Sequence, residues 1–266
     1  MIRRLPLLLL VAMLAACGSA PVQPVSPVAE RIKAEEKDAR RALKSGDLPR
    51  AHQAFSRELL LQQSVDDAAG AASTAINLAT VKYRLHDEEG ALALLDGILN
   101  AKAIYPPDSA VQAAFRKAVV LLHIGRRVDA VAALQQADGL CQRQCGLLAS
   151  LELLHARLLL AGGDASGALA LAQPLSGRSD IGREEQANAL RLVAFAEEKL
   201  QRPADALQHY QAALVLDKPL GFADRIGEDL SGMARAAKQL GRDGEAEVYA
   251  RRAALVAESI KQEHVE

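Results

Sequence analysis

An alanine, a loop residue seven positions on and a second alanine five further recur six times along this 266-residue chain. The triplets are Ala39–Gly46–Ala51, Ala79–His86–Ala91, Ala118–Gly125–Ala130, Ala156–Gly163–Ala168, Ala194–Gln201–Ala206 and Ala234–Gly241–Ala246. Successive copies lie 40, 39, 38, 38 and 40 residues apart. A period of this length marks a solenoid, in which each unit buries its apolar face only by stacking on its neighbours. Such chains present surfaces to partners, and residues that recur in every copy serve packing. Function is therefore to be sought where the copies differ.

Within the second copy, Ile76, Ala79 and Tyr83, with Leu78, Val81 and Leu85, form two overlapping apolar stripes at helical spacing. His86-Asp87 interrupts them, and Asp87 is placed to cap a second helix whose face is Ala91, Leu94, Leu95 and Ile98. Pro49 and Pro203 fall in the first turns of second helices, where a missing N–H costs nothing. Pro106-Pro107 and Pro219 are expected to break the chain between units. Paired alanines let the two helices of a hairpin approach closely, and the residue between them ends the first helix and allows a short turn. The expected fold is all-α, a solenoid of about six antiparallel helical hairpins.

The pattern resembles the tetratricopeptide repeat, whose small residues fall at the same twelve-residue separation. Asn77-Leu78-Ala79 followed by Ala91 is the nearest copy. The resemblance covers Ile32 to Ile260 and implies a right-handed superhelix with first helices lining a concave groove. It departs in period, 38–40 where 34 is usual, and in the loss of most consensus aromatics. Phe55 and Tyr210 keep one of them, while Leu95 and Leu134 replace it. The extra residues belong either to longer helices or to longer connections.

The chain's beginning reads differently. Arg3 and Arg4 precede an apolar run from Leu5 to Met13, and small residues then lead to Cys17. Leu14-Ala15-Ala16-Cys17 resembles the lipobox of bacterial lipoproteins. That resemblance implies a signal peptide over residues 1–16 and acylation of Cys17, palmitate-type chains included. Gly18, where aspartate would signal inner-membrane retention, implies the outer membrane, periplasmic side. Pro21, Pro24 and Pro27 make residues 17–28 a lipidated, semi-rigid tether, with the solenoid occupying 29–266.

Charge excludes other classes. The chain carries 32 basic and 33 acidic side chains, a net −1 that offers no bulk attraction to nucleic acid or anionic lipid. The six histidines occupy unrelated phases of the repeat, and no nucleophile, phosphate-loop or metal-ligand motif is present. No catalytic residue, cofactor or metal is expected, and the chain does not read as an enzyme. Cys141 and Cys145 lie where copy three hands over to copy four. A disulfide across a turn suits this spacing; a redox pair, a zinc ligand pair and free thiols are the alternatives.

By the resemblance, groove positions include Asn77, Tyr83, Phe115, Val119, Arg157, Arg191, Phe195 and Arg235. An apolar middle with arginine flanks suits an amphipathic or extended peptide from a cell-envelope protein. The arginines would orient it and Phe115 and Phe195 would hold it. The expectation is a membrane-anchored scaffold for assembly or regulation of an envelope complex. The alternatives are a tightly wound superhelix with no open groove, and a structural module that packs on a second copy of the chain or on a membrane complex.

Overall fold

The computed structural model describes residues 26–263, with side chains to residue 260, and the leader and Cys17 lie outside these. The described chain is built from twelve helices: α1 (Pro27–Ser45), α2 (Leu48–Ser64), α3 (Ala68–Arg84), α4 (Glu88–Asn100), α5 (Pro107–His123) and α6 (Arg127–Cys141), then α7 (Leu148–Ala161), α8 (Ala165–Ser176), α9 (Arg183–Lys199), α10 (Pro203–Leu220), α11 (Ala223–Gln239) and α12 (Asp243–Glu263). Each packs on the next in sequence, and α3 on α5, α5 on α7, α7 on α9 and α9 on α11 bring first helices side by side.

The alanine lattice sits where packing demands it. Ten of its alanines are fully buried and Ala246 nearly so. Ala234 is half-buried, since it belongs to the last of the described units and no further hairpin stacks on it among the described residues. The six loop residues share one conformation: Gly46, His86, Gly125, Gly163, Gln201 and Gly241 all have φ between 59° and 90°. Left-handed geometry ends each first helix and turns the chain within two or three residues. Glycine adopts it without cost, whereas His86 and Gln201 carry a side chain into it.

Aspartates then start several second helices. Asp87 accepts from the Gly90 N–H at 2.9 Å, and Asp164 from the Gly167 N–H at 2.8 Å. Asp67 caps α3 in the same way through Gly70. Each carboxylate satisfies an otherwise orphaned donor and favours the positive helix end.

Helix and loop share the long period differently in different units. The first unit has helices of 19 and 17 residues, whereas the fourth has helices of 14 and 12. The shorter helices α4, α6 and α8 are each followed by a longer connection, at 101–106, 142–147 and 177–182. Two expected boundaries move. The first helix opens at Pro27, inside the expected tether, because Ser26 caps it through the Val28 N–H and proline suits the first turn. Pro219 lies in the last turn of α10 instead of between units, and Gly221 ends that helix in left-handed geometry.

The core is one row of clusters along the solenoid axis. Phe55 anchors the first, Leu95, Leu121 and Leu134 the long middle one, Leu175 and Val193 the next, and Tyr210 and Met233 the last. At the middle of this row Cys141, the last residue of α6, is joined to Cys145 by a disulfide. Gln142 and Arg143 between them are both left-handed, which makes the turn that a continuous helix could not.

Candidate functional site: a cavity on the C-terminal first helices

Helices α7, α9 and α11 lie in sequence, and α12 packs on α11. Together they enclose a cavity of about 980 Å³, with Leu160, Leu192 and Phe195 on its floor and Val256 and Ile260 on the α12 side. Four of the sequence-derived groove residues meet here: Arg157, Arg191, Phe195 and Arg235. Phe195 is 41% exposed, a large apolar ring left open to the cavity.

Its position is set by a relay of contacts that begins in the core. The fully buried Tyr210 ring lies so close to Gly232 that a Cβ there would sit 2.4 Å from it. Glycine is required at that position for α10 and α11 to approach. The Tyr210 hydroxyl donates to Glu198 Oε2 at 2.6 Å, and Glu198 accepts from Arg235 Nη2 at 2.9 Å. Burial, followed by the Glu198 carboxylate, raises the Tyr210 pKa, so the phenol keeps its proton. Arg235 in turn rests 5.4 Å from the Phe195 ring centre, a cation–π contact. A packed tyrosine thus holds the carboxylate that holds the arginine beside the exposed ring.

The three arginines differ in what they are free to do. Arg191 is 5% exposed and belongs to a buried ion cluster. Its Nε donates to Asp229 Oδ1 at 2.7 Å, its Nη1 to Asn188 at 2.9 Å, and its Nη2 to Asp217. Burial pushes the Asp229 carboxyl up to about 7, against the pull of the Arg191 guanidinium. Arg191 therefore does not orient a partner; its charge is spent between α9, α10 and α11. Arg235 is committed to Glu198. Arg157 has no hydrogen-bond or ion-pair partner among the described residues, and burial lowers its pKa below the ordinary arginine range.

The other expected groove residues lie elsewhere. Tyr83, Phe115 and Val119 are half-buried against the middle core, Tyr83 tilted on His123 at 5.7 Å, and they do not line this cavity. Ile76 and Leu153, on the same helical phase, are buried outright. Asn77 lines a smaller cavity of about 450 Å³ between α1, α2 and α3. Glu58 at its base is buried, accepts from Thr74 and Gln62 at 3.0 Å each, and leaves its second oxygen unpartnered. Burial raises the Glu58 pKa. The i,i+4 spacing of Glu58 and Gln62 on an apolar helix face was the available signal for this pair.

No family model matches the chain, and no curated protein is found as a relative. Similarity appears among solved structures. The chain superposes on Cut9 in the APC/C Cut9–Hcn1 hetero-tetramer with a TM-score of 0.63 at 12% identity, covering 90% of this chain and 43% of that one. A Rap protein complexed with competence and sporulation factor gives 0.55 at 16%, covering 90% and 68%. The nearly identical TPR-like repeats of a Podosopora anserina kinesin light chain give 0.53 at 15%, covering 72% and 96%. Identities this low speak for architecture alone, and the chain has the TPR-like helical-repeat fold.

Proposed function

We propose that this chain is a binding scaffold that holds a segment of a partner protein in the cavity formed by α7, α9, α11 and α12. The observation that carries this reading is Phe195, an aromatic ring kept exposed over an open apolar floor by Arg235, Glu198 and Tyr210. Positioned aromatic anchors beside arginine are the usual energetic centres of protein interfaces. Two structurally similar proteins are described as complexes, one with Hcn1 and one with competence and sporulation factor, which supports binding as the use of this architecture.

The lipobox-like Leu14-Ala15-Ala16-Cys17 adds the location: the scaffold is tethered by acylated Cys17 to the outer membrane and faces the periplasm, where it recruits its partner to an envelope complex. Two or more acyl chains make such an anchor stable where one alone does not. Cross-linking in cells followed by identification of the bound protein tests the scaffold reading. Phe195→Asp abolishes the cross-link while the protein stays folded; an unchanged cross-link excludes the cavity. Cys17→Ser moves the protein from the membrane to the soluble fraction, and retention in the membrane excludes lipid anchoring.

A further inference from the structure

We infer that the cavity between α7, α9, α11 and α12 recognises one carboxylate side chain, carried on an otherwise apolar extended stretch of the partner, with Arg157 as its counter-charge. The inference rests on the binding reading above and adds the chemistry of what is bound.

Four basic side chains reach the cavity, and three are accounted for. Arg191 is neutralised by Asp217 and Asp229, and Arg235 by Glu198. Lys199 is exposed and hydrated. Arg157 alone lines the cavity half-buried without receiving a carboxylate among the described residues. Glu228 shares the cavity, but its carboxylate is 64% exposed and lies 3.7 Å from Arg191. A guanidinium so placed recovers its lost hydration when a planar carboxylate pairs with it through two parallel N–H bonds.

The lining also limits the ligand to a single charge. Asp224 and Glu228 stand on the α11 side of the same cavity. A second acid close to the first would face them, which disfavours acidic runs and phosphate groups. Around Arg157 the remaining surface is Leu160, Ala161, Leu192 and Phe195, which calls for apolar neighbours on the ligand. From α7 across α9 to α11 is two helix spacings, roughly 20 Å, the reach of about six extended residues. An elongated ligand fits this track, and that favours a peptide segment over a small free acid.

The test selects random dodecapeptides displayed on phage against the purified full chain, then measures recovered peptides by fluorescence polarisation. Recovered peptides are expected to share one Asp or Glu flanked by apolar residues. Replacing that acid by its amide is expected to weaken binding about tenfold in the wild type. In Arg157→Gln, checked for folding by its thermal transition, the acid and amide peptides bind equally. Peptides recovered without an acidic residue, or an amide penalty that survives in Arg157→Gln, overturn the carboxylate inference and leave the binding reading standing, provided Phe195→Ala weakens them. No recovery at all overturns both. Binding of sodium decanoate at Arg157, with no peptide recovered, assigns the site to a free amphiphile and likewise overturns the proposal.

Discussion

Arg191 on α9 donates through Nε to Asp229 Oδ1 on α11 at 2.7 Å, and both side chains are buried. The pair ties one repeat to the next, and Asp217 of α10 accepts from the same guanidinium, so three helices meet in one ion cluster. Two carboxylates around one arginine leave an imbalance, and Asp217 Oδ1 has no partner. Burial of charge is costly, and breaking such a set costs more than the set contributes.

Arg191→Met is therefore expected to destabilise the fold by about 3–5 kcal/mol, since two buried carboxylates lose the one cation that pairs with them among the described residues. Arg157→Gln is expected to leave stability within about 0.5 kcal/mol, or raise it, because no partner is orphaned. Urea unfolding midpoints separate the two. Equal losses in both variants would show that Arg191 is not the structural member of the pair.

Stability should fall as pH rises. In the unfolded chain Asp229 releases its proton near 3.8, whereas in the folded chain it keeps it up to about 7. Between those values the folded state binds the extra proton, so each step up in pH weakens it, by at most about 1.4 kcal/mol per unit for this group. Above about 7 the contribution is gone. Glu58, raised by burial, acts with the same sign. Urea midpoints at pH values from about 5 to about 8 should decline in the wild type and flatten in Asp229→Asn. An identical decline in both places the proton elsewhere.

The hairpins were legible in the sequence because close helix contact leaves a local mark, an alanine on each side of a left-handed turn. Even His86 and Gln201, which are not glycines, were located by their place in that lattice. The Cys141–Cys145 turn was legible for the same reason. The division of labour among the arginines was not. Arg191 meets Asp229 38 positions away, and Glu198 meets Arg235 37 positions away, which is one repeat further on. Partners like these depend on how units stack, and no local pattern within one unit announces them. The fate of Phe115 was hidden similarly: it lies on the same helix face as Phe195, one turn earlier in its unit, yet the middle units pack it against their core.

The lattice predicts where added bulk is tolerated. Ala118 is fully buried between α5 and α6, so Ala118→Leu forces the two helices apart and should cost about 1–3 kcal/mol or more. Ala234 holds the same lattice position but is half-buried at the end of the array. Ala234→Leu should cost clearly less. Chemical unfolding of both variants decides this, and equal costs would mean that the alanines are not matched to helix approach.

The disulfide closes a loop of only a few residues at the middle of the solenoid, tying the end of α6 to the connection that leads into α7. Chain-entropy arguments give so short a loop about 2 kcal/mol, less than a long one. Its second effect is local. Asp138 on α6 and His155 on α7 are bridged at 2.7 Å across the same junction, and both are substantially exposed. The covalent link therefore fixes the α6–α7 connection to the end of α6 more firmly than that exposed pair fixes the two helices. Replacing Cys141 and Cys145 together by serine should lower stability by about 2 kcal/mol. It should also speed amide exchange selectively over 138–150, with α2 and α11 unchanged. Exchange that rises evenly along the chain would show that the disulfide stabilises the whole array and not this junction.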